Sequence, residues 1–112
     1  MNYSFHPDAE RELEEAESHY DGIDDTLGDR FRAELEISIA RILSFPHAWQ
    51  LLSENIRRRR LISFPYGIVY HLKPNEVRIL AVMHLHQEPN YWAGRVKRKM
   101  IGFLKTKRSN RT

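Results

Sequence analysis

The sequence predicts a single α+β domain: an antiparallel helix hairpin at the amino end, packed on a small, mainly antiparallel β-sheet. Three observations carry this expectation. Apolar residues recur every three or four positions through the first 45 residues, and they switch to a period of about two from Ile56 onward. The chain of 112 residues, with 41% apolar and 29% charged side chains, has the size and mixture of one globular domain around one core.

Tyr3 and Phe5 alternate with polar neighbours, as in a short first strand. His6-Pro7-Asp8 then starts a helix, with proline at the first helical position, where its missing N–H costs nothing. Ala9, Leu13, Ala16 and Tyr20 make one apolar stripe, which leaves Glu10, Glu12, Glu14, Glu15 and Glu17 toward water. Asp21-Gly22 closes that helix, and Asp24-Asp25 caps a second one. Its stripe is Leu27, Phe31, Leu35, Ile39, Ile42 and Leu43, and Phe45-Pro46 ends it. The short link implies a hairpin whose two stripes need a common cover.

That cover is expected from three strands, Ile56 to Phe64, Gly67 to Lys73 and Val77 to Leu85, with turn signals at Phe64-Pro65-Tyr66-Gly67 and Pro74-Asn75. Strict alternation in the last one sends Val77, Ile79, Ala81, Met83 and Leu85 toward the helices. Arg78, Leu80, Val82, His84 and His86 then face away. The domain is expected to span residues 1 to 96. Residues 97 to 112 are expected to form a basic tail, helical or flexible, with 7 Lys/Arg and no acid.

Charge divides the chain in two. Residues 1 to 50 hold 4 Lys/Arg and 12 Asp/Glu, and residues 51 to 112 hold 14 and 3, for net charges of −8 and +11. A positive half of that density suits a polyanion or an acidic protein segment rather than a small metabolite. The absence of cysteine excludes disulfides, thiolate metal sites and thiol nucleophiles. No apolar run approaches the ~20 residues that span a bilayer, and the first residues lack a signal-peptide pattern. The expected location is therefore the cytoplasm, with no membrane partner.

The candidate functional residues lie in the second half. Arg57-Arg58-Arg59-Arg60 in a strand puts two guanidinium forks on each face, suited to phosphate or carboxylate, or else to guarding a solvated edge. His84 and His86, two apart on a strand, form a proton-transfer pair or a structural end to the strand. No further residue is placed to complete a metal set, so no metal is expected. Tyr91 and Trp92 suit stacking on a base, anchoring an interface or plugging the end of the core, with the core favoured for Trp92 and neither side favoured for Tyr91. Arg78, Gln87, Arg95, Lys97 and Arg98 complete the candidate partner- or target-binding set.

Three segments in order carry a family resemblance: Phe5-His6-Pro7 before the acidic hairpin; Arg60-Leu61-Ile62-Ser63-Phe64-Pro65-Tyr66-Gly67-Ile68-Val69-Tyr70; and Ile79-Leu80-Ala81-Val82-Met83-His84 leading to Pro89-Asn90-Tyr91-Trp92. Over about residues 3 to 96 the chain resembles the RelE/ParE superfamily of toxins from bacterial type II toxin–antitoxin modules. The resemblance implies a growth-inhibiting, plasmid-stabilising protein with no cofactor, held silent by a small cognate antitoxin.

Two modes of action occur in that superfamily. RelE-like members cut messenger RNA on the ribosome without a metal, through basic side chains and often a tyrosine. Arg58 and Arg60 stand where such members are basic, Tyr91 stands near their late tyrosine, and His84 or His86 supplies a further proton carrier. ParE-like members bind DNA gyrase. Gly67 and Gln87 stand where nuclease relatives can carry a basic residue, which favours the ParE-like mode, because a neutral side chain stabilises a charged transition state poorly. A non-toxic RNA- or peptide-binding module is the third reading.

Overall fold

Pro7 begins helix α1 (Pro7–Ile23), and the His6 imidazole caps it by accepting the Asp8 N–H at 3.0 Å. A single residue, Asp24, links α1 to helix α2 (Asp25–Ser44) and serves both. Its N–H donates to the Tyr20 carbonyl at 3.0 Å, and its carboxylate accepts from the Thr26 N–H and hydroxyl at 2.8 Å each. Those bonds from Thr26 hold the Asp24 carboxyl below its ordinary pKa. The cap lies just past Ile23, so α1 runs through Gly22 instead of closing there. Glu17 meets Arg32 and Tyr20 meets Phe31, pairings that make the hairpin antiparallel.

The computed structural model describes residues 1–96, and the expected tail of residues 97 to 112 lies outside the described residues. The remaining elements are β1 (Asn2–Phe5), β2 (Gln50–Ser53), β3 (Ile56–Arg60), β4 (Tyr66–Leu72), β5 (Glu76–His84) and a 3-10 turn at Ala93–Arg95. They form one five-stranded sheet in the order β1-β5-β4-β3-β2. β1 runs parallel to β5, and every other pairing is antiparallel.

Both predicted helix stripes enter the first core, where Phe31, Leu35 and Ile42 meet Ile68, Tyr70, Val77 and Ile79 from the sheet. Burial of each such side chain contributes roughly 1.5–3 kcal/mol. A second, smaller core lies on the opposite face of the sheet, where Trp92 covers Ile56, Val69, Leu80, Ala81 and Met83.

Three expectations are corrected. The first is the facing of β5: Val69 pairs with Ala81 and Tyr70 with Ile79, which leaves Leu80 as an extra, bulged residue. Alternation therefore slips by one, so that Val82 faces the helices while Ala81 and Met83 join the second core. His84, opposite Tyr66, lies on the helix side. The second is β3, which stops at Arg60 because the next segment turns away, its Ile62 and Ser63 N–H groups bound by the Glu34 carboxylate of α2. The third is an unexpected strand, β2, hairpinned to β3 through Asn55 at φ 60°.

Candidate functional site

The edge of β5 organises one half of the site. β1 covers that edge only as far as Ile79, where the His6 N–H donates to the Ile79 carbonyl at 2.8 Å and the chain leaves to form α1. Two side chains then serve the uncovered backbone at the bulge. Glu12 accepts the Val82 N–H at 3.1 Å, and Arg95 donates to the Leu80 carbonyl at 2.9 Å. The two also pair with each other, Arg95 Nη1 to Glu12 Oε1 at 3.0 Å and Nη2 to Oε2 at 2.9 Å.

Tyr91 joins this cluster. Its hydroxyl donates to Glu12 Oε2 at 2.8 Å, and the Arg95 guanidinium lies 4.9 Å from its ring centre. Burial, reinforced by the bond to Glu12, pushes the Tyr91 phenol well above its ordinary range. Burial opposes the charge of Arg95, and Glu12 more than offsets it, so the guanidinium is held above its usual value. Glu12 is thus not a solvated helix-face residue, and neither is Glu17, which binds Arg32 at 2.8 Å.

Beside this cluster lies a cleft of about 420 Å³ that brings together His84, Gln87, Tyr91 and Arg95 with Arg11, Glu12, Glu15 and Tyr66. His84 stacks edge-on to Tyr66 at 5.1 Å, and its Nδ1 accepts the His86 N–H at 3.1 Å. His86 is exposed beyond the end of β5, its ring 5.0 Å from that of His84. The pair is therefore a strand end and its turn, not two neighbours on one strand face.

The arginines of β3 form the other half, and alternation divides them. Arg57 and Arg59 pair across to Tyr70 and Ile68 and so lie on the helix side, whereas Arg58 and Arg60 pair to Val69 and Gly67 on the outer face. Arg57 donates to the His47 and Trp49 carbonyls at 3.2 and 2.9 Å, and Tyr70 donates to the Pro46 carbonyl at 2.6 Å. Arg59, only 9% exposed, lays its guanidinium 4.1 Å from the Trp49 ring centre. Together these three side chains hold the connection from α2 to β2.

Arg58 reaches Gln50 Oε1 at 3.0 Å, and its stem lies over Gly67, where an added Cβ would stand 3.1 Å from Arg58 Cδ. Burial, then the charge of Arg60, lowers its pKa. Among the described residues no carboxylate comes within ion-pair distance of Arg57, Arg58, Arg59 or Arg60. Arg78 is occupied, donating to the Ser4 hydroxyl and the Phe5 carbonyl at 3.1 and 3.2 Å. Trp92 is a core residue, 4% exposed, and Lys97 and Arg98 lie outside the described residues.

Of the five residues suited to RNA cleavage, the cleft gathers two, His84 and Tyr91. Arg58 and Arg60 stand on the outer face, while His84 and the Tyr91 hydroxyl meet the cleft beside α1. Glu12 and Trp49 are the residues that sequence reasoning missed. Glu12 lies between Ala9 and Ala16 at helical spacing, on the flank of the apolar stripe, and that position was the available signal.

A family model described as the ParE toxin of the type II toxin–antitoxin system parDE matches residues 3–89. The chain belongs to this ParE toxin family. Among solved structures, a chain described as "Chromosomal ParDE TA system from P. aeruginosa" superposes with a TM-score of 0.64 at 15% identity, covering 75% of this chain and 95% of that one. This likeness shows that the ParE chain has the same fold. No curated protein matches.

Proposed function

We propose that this ParE-family chain is a toxin that a cognate antitoxin neutralises and that, once free, inhibits growth by binding DNA gyrase rather than by cutting RNA. The observation that carries the non-hydrolytic part is that His84 and Tyr91 line the cleft beside α1, whereas Arg58 and Arg60 do not line it and stand across the sheet from His84. RNA cleavage by a metal-free site needs a proton carrier and a cationic group on the same phosphate, each within hydrogen-bond reach. The Tyr91 proton is moreover committed to Glu12, in a phenol whose raised pKa makes it a poor base near neutrality.

The outer face supplies the target-binding surface in this reading. Arg58 and Arg60 lie at one end of it, without a carboxylate partner among the described residues. Such a target implies action in the cytoplasm, and among the described residues no helix is long and apolar enough to cross a membrane. Purified chain added to gyrase should inhibit supercoiling, and Arg58→Gln with Arg60→Gln should relieve that inhibition. Codon-phased messenger RNA ends after induction in cells, with supercoiling untouched, would replace this reading with the ribosome-dependent nuclease.

A further inference from the structure

The two central strands are closed to water on both faces. Ile68, Val69 and Tyr70 of β4 and the run from Ile79 to Met83 of β5 are all buried, so each face of the sheet needs its own cover. The helices cover one. On the outer face the described cover is the short run from Tyr91 to Val96, and Leu52 and Val96 stay only partly buried against the second core. Beside that run lies a groove of about 980 Å³, with Leu52, Ile56, Trp92 and Val96 along its apolar side and Glu54 and His71 along its polar side.

Position and charge together say what fills the groove. Val96 lines it, so the chain that follows starts at the groove itself. Residues 97 to 112 come next, with Met100, Ile101, Phe103 and Leu104 as their apolar members, 7 Lys/Arg and no acid. Among the described residues that line the groove Glu54 is the charged one, and no described cation comes within ion-pair distance of it. Burial, and then Lys73, hold the His71 imidazole below its ordinary pKa, which keeps it neutral. The groove therefore suits an occupant that is apolar and basic, and the segment after Val96 is both. An attached segment meets the groove at an effective concentration on the order of millimolar, so contacts too weak to retain a free peptide retain it.

We propose that residues 97 to 112 of this chain dock in the outer-face groove, their apolar side on Leu52, Ile56 and Trp92 and a basic side chain beside Glu54. Met100, Phe103 and Leu104 follow Val96 at intervals of four, three and one, a spacing that keeps all four on one side of a helical segment. The docked segment extends the second core and carries its lysines and arginines onto the face that already holds Arg58 and Arg60. Docking holds whichever target the toxin has, because it completes the cover of the chain's own sheet. A second copy of the chain would fill the groove only in proportion to its concentration.

The full chain has no cysteine, so Lys105→Cys accepts a single nitroxide label, and paramagnetic broadening of amide signals locates it. The amides of Leu52, Asn55, Ile56 and His71 around the groove should broaden to the same extent at every protein concentration, and those of Arg30 and Ile37 on α2 should stay sharp. Phe103→Asp with Leu104→Asp should lower the ratio of docked to undocked chain at least ten-fold or so, the loss expected for buried apolar side chains, and Leu52→Asp should do the same from the groove side. The Phe103, Leu104 pair keeps the test decisive if Leu52→Asp fails to fold. No broadening at the groove, broadening spread evenly over the surface or confined to the helix side, or broadening unchanged by Phe103→Asp with Leu104→Asp would each overturn the proposal. So would broadening that grows with concentration or passes to unlabelled molecules in a mixed sample, which would put a second copy in the groove.

Discussion

Glu12 and Arg95 face each other fork to fork across 83 residues of sequence, at 3.0 and 2.9 Å. The pair fastens the last described segment of the chain, with Trp92 on the second core, to the first helix. It also serves the β5 backbone where the bulge at Leu80 meets the end of β1.

Removal of one member should therefore cost more than the loss of a surface ion pair. With side chains only 14% and 12% exposed, Glu12→Ala leaves the Val82 N–H and the Tyr91 hydroxyl without their partner and the Arg95 charge with Asp8 at 3.7 Å in place of its two-fold bond to Glu12. The expected destabilisation is about 2–4 kcal/mol, read by urea denaturation. Glu15→Ala, at a 69% exposed side chain, should stay within about 0.5 kcal/mol. Equal effects at the two positions would remove the latch from the account.

Alkaline pH should weaken the fold through its buried phenols. Burial raises Tyr70 from 10.0 to about 12, and Tyr91 is raised as well. A phenol whose folded-state pKa lies above its unfolded value contributes stability in full below the unfolded pKa, and that stability is lost as pH rises through the folded one. Denaturation midpoints should hold up to about pH 10 and fall steadily above it. The Tyr70→Phe, Tyr91→Phe double variant should show a shallower alkaline decline. At neutral pH Tyr70→Phe costs about 1 kcal/mol for the bond to the Pro46 carbonyl.

Gly67 and Arg58 should prove energetically coupled. A Cβ at position 67 would press on Arg58 Cγ and Cδ at 3.2 and 3.1 Å. Gly67→Ala should therefore be more favourable by about 1 kcal/mol in an Arg58→Ala background than in the native chain. A double-mutant cycle in denaturant measures this directly, and additivity would mean that Arg58 does not lie over Gly67.

The helices were readable because the contrast between core and water repeats with the helical period, so Leu13, Phe31, Leu35 and Ile42 announce their burial and Asp24 announces the break. β5 was readable as a strand but not in its facing. Ile79, Leu80, Ala81, Val82 and Met83 are all apolar, so nothing in the sequence marks which of them bulges. The same ambiguity misdirected His84. β2 went unseen because Leu51 and Leu52 are adjacent, and its bulge hides the alternation. The arginine run showed that it must divide between two faces, but not that Trp49 and the carbonyls of the α2–β2 connection would occupy Arg57 and Arg59.

The central claim is a toxin that binds its target through the outer face and does not cleave RNA. One measurement tests it most directly: supercoiling by purified gyrase, titrated with the native chain, with Arg58→Gln, Arg60→Gln and with Tyr91→Phe. The account predicts inhibition by the native chain, roughly ten-fold weaker inhibition when either outer-face arginine is neutralised, and inhibition by Tyr91→Phe equal to native once its folding is verified. Full supercoiling in the presence of excess folded native chain would contradict it.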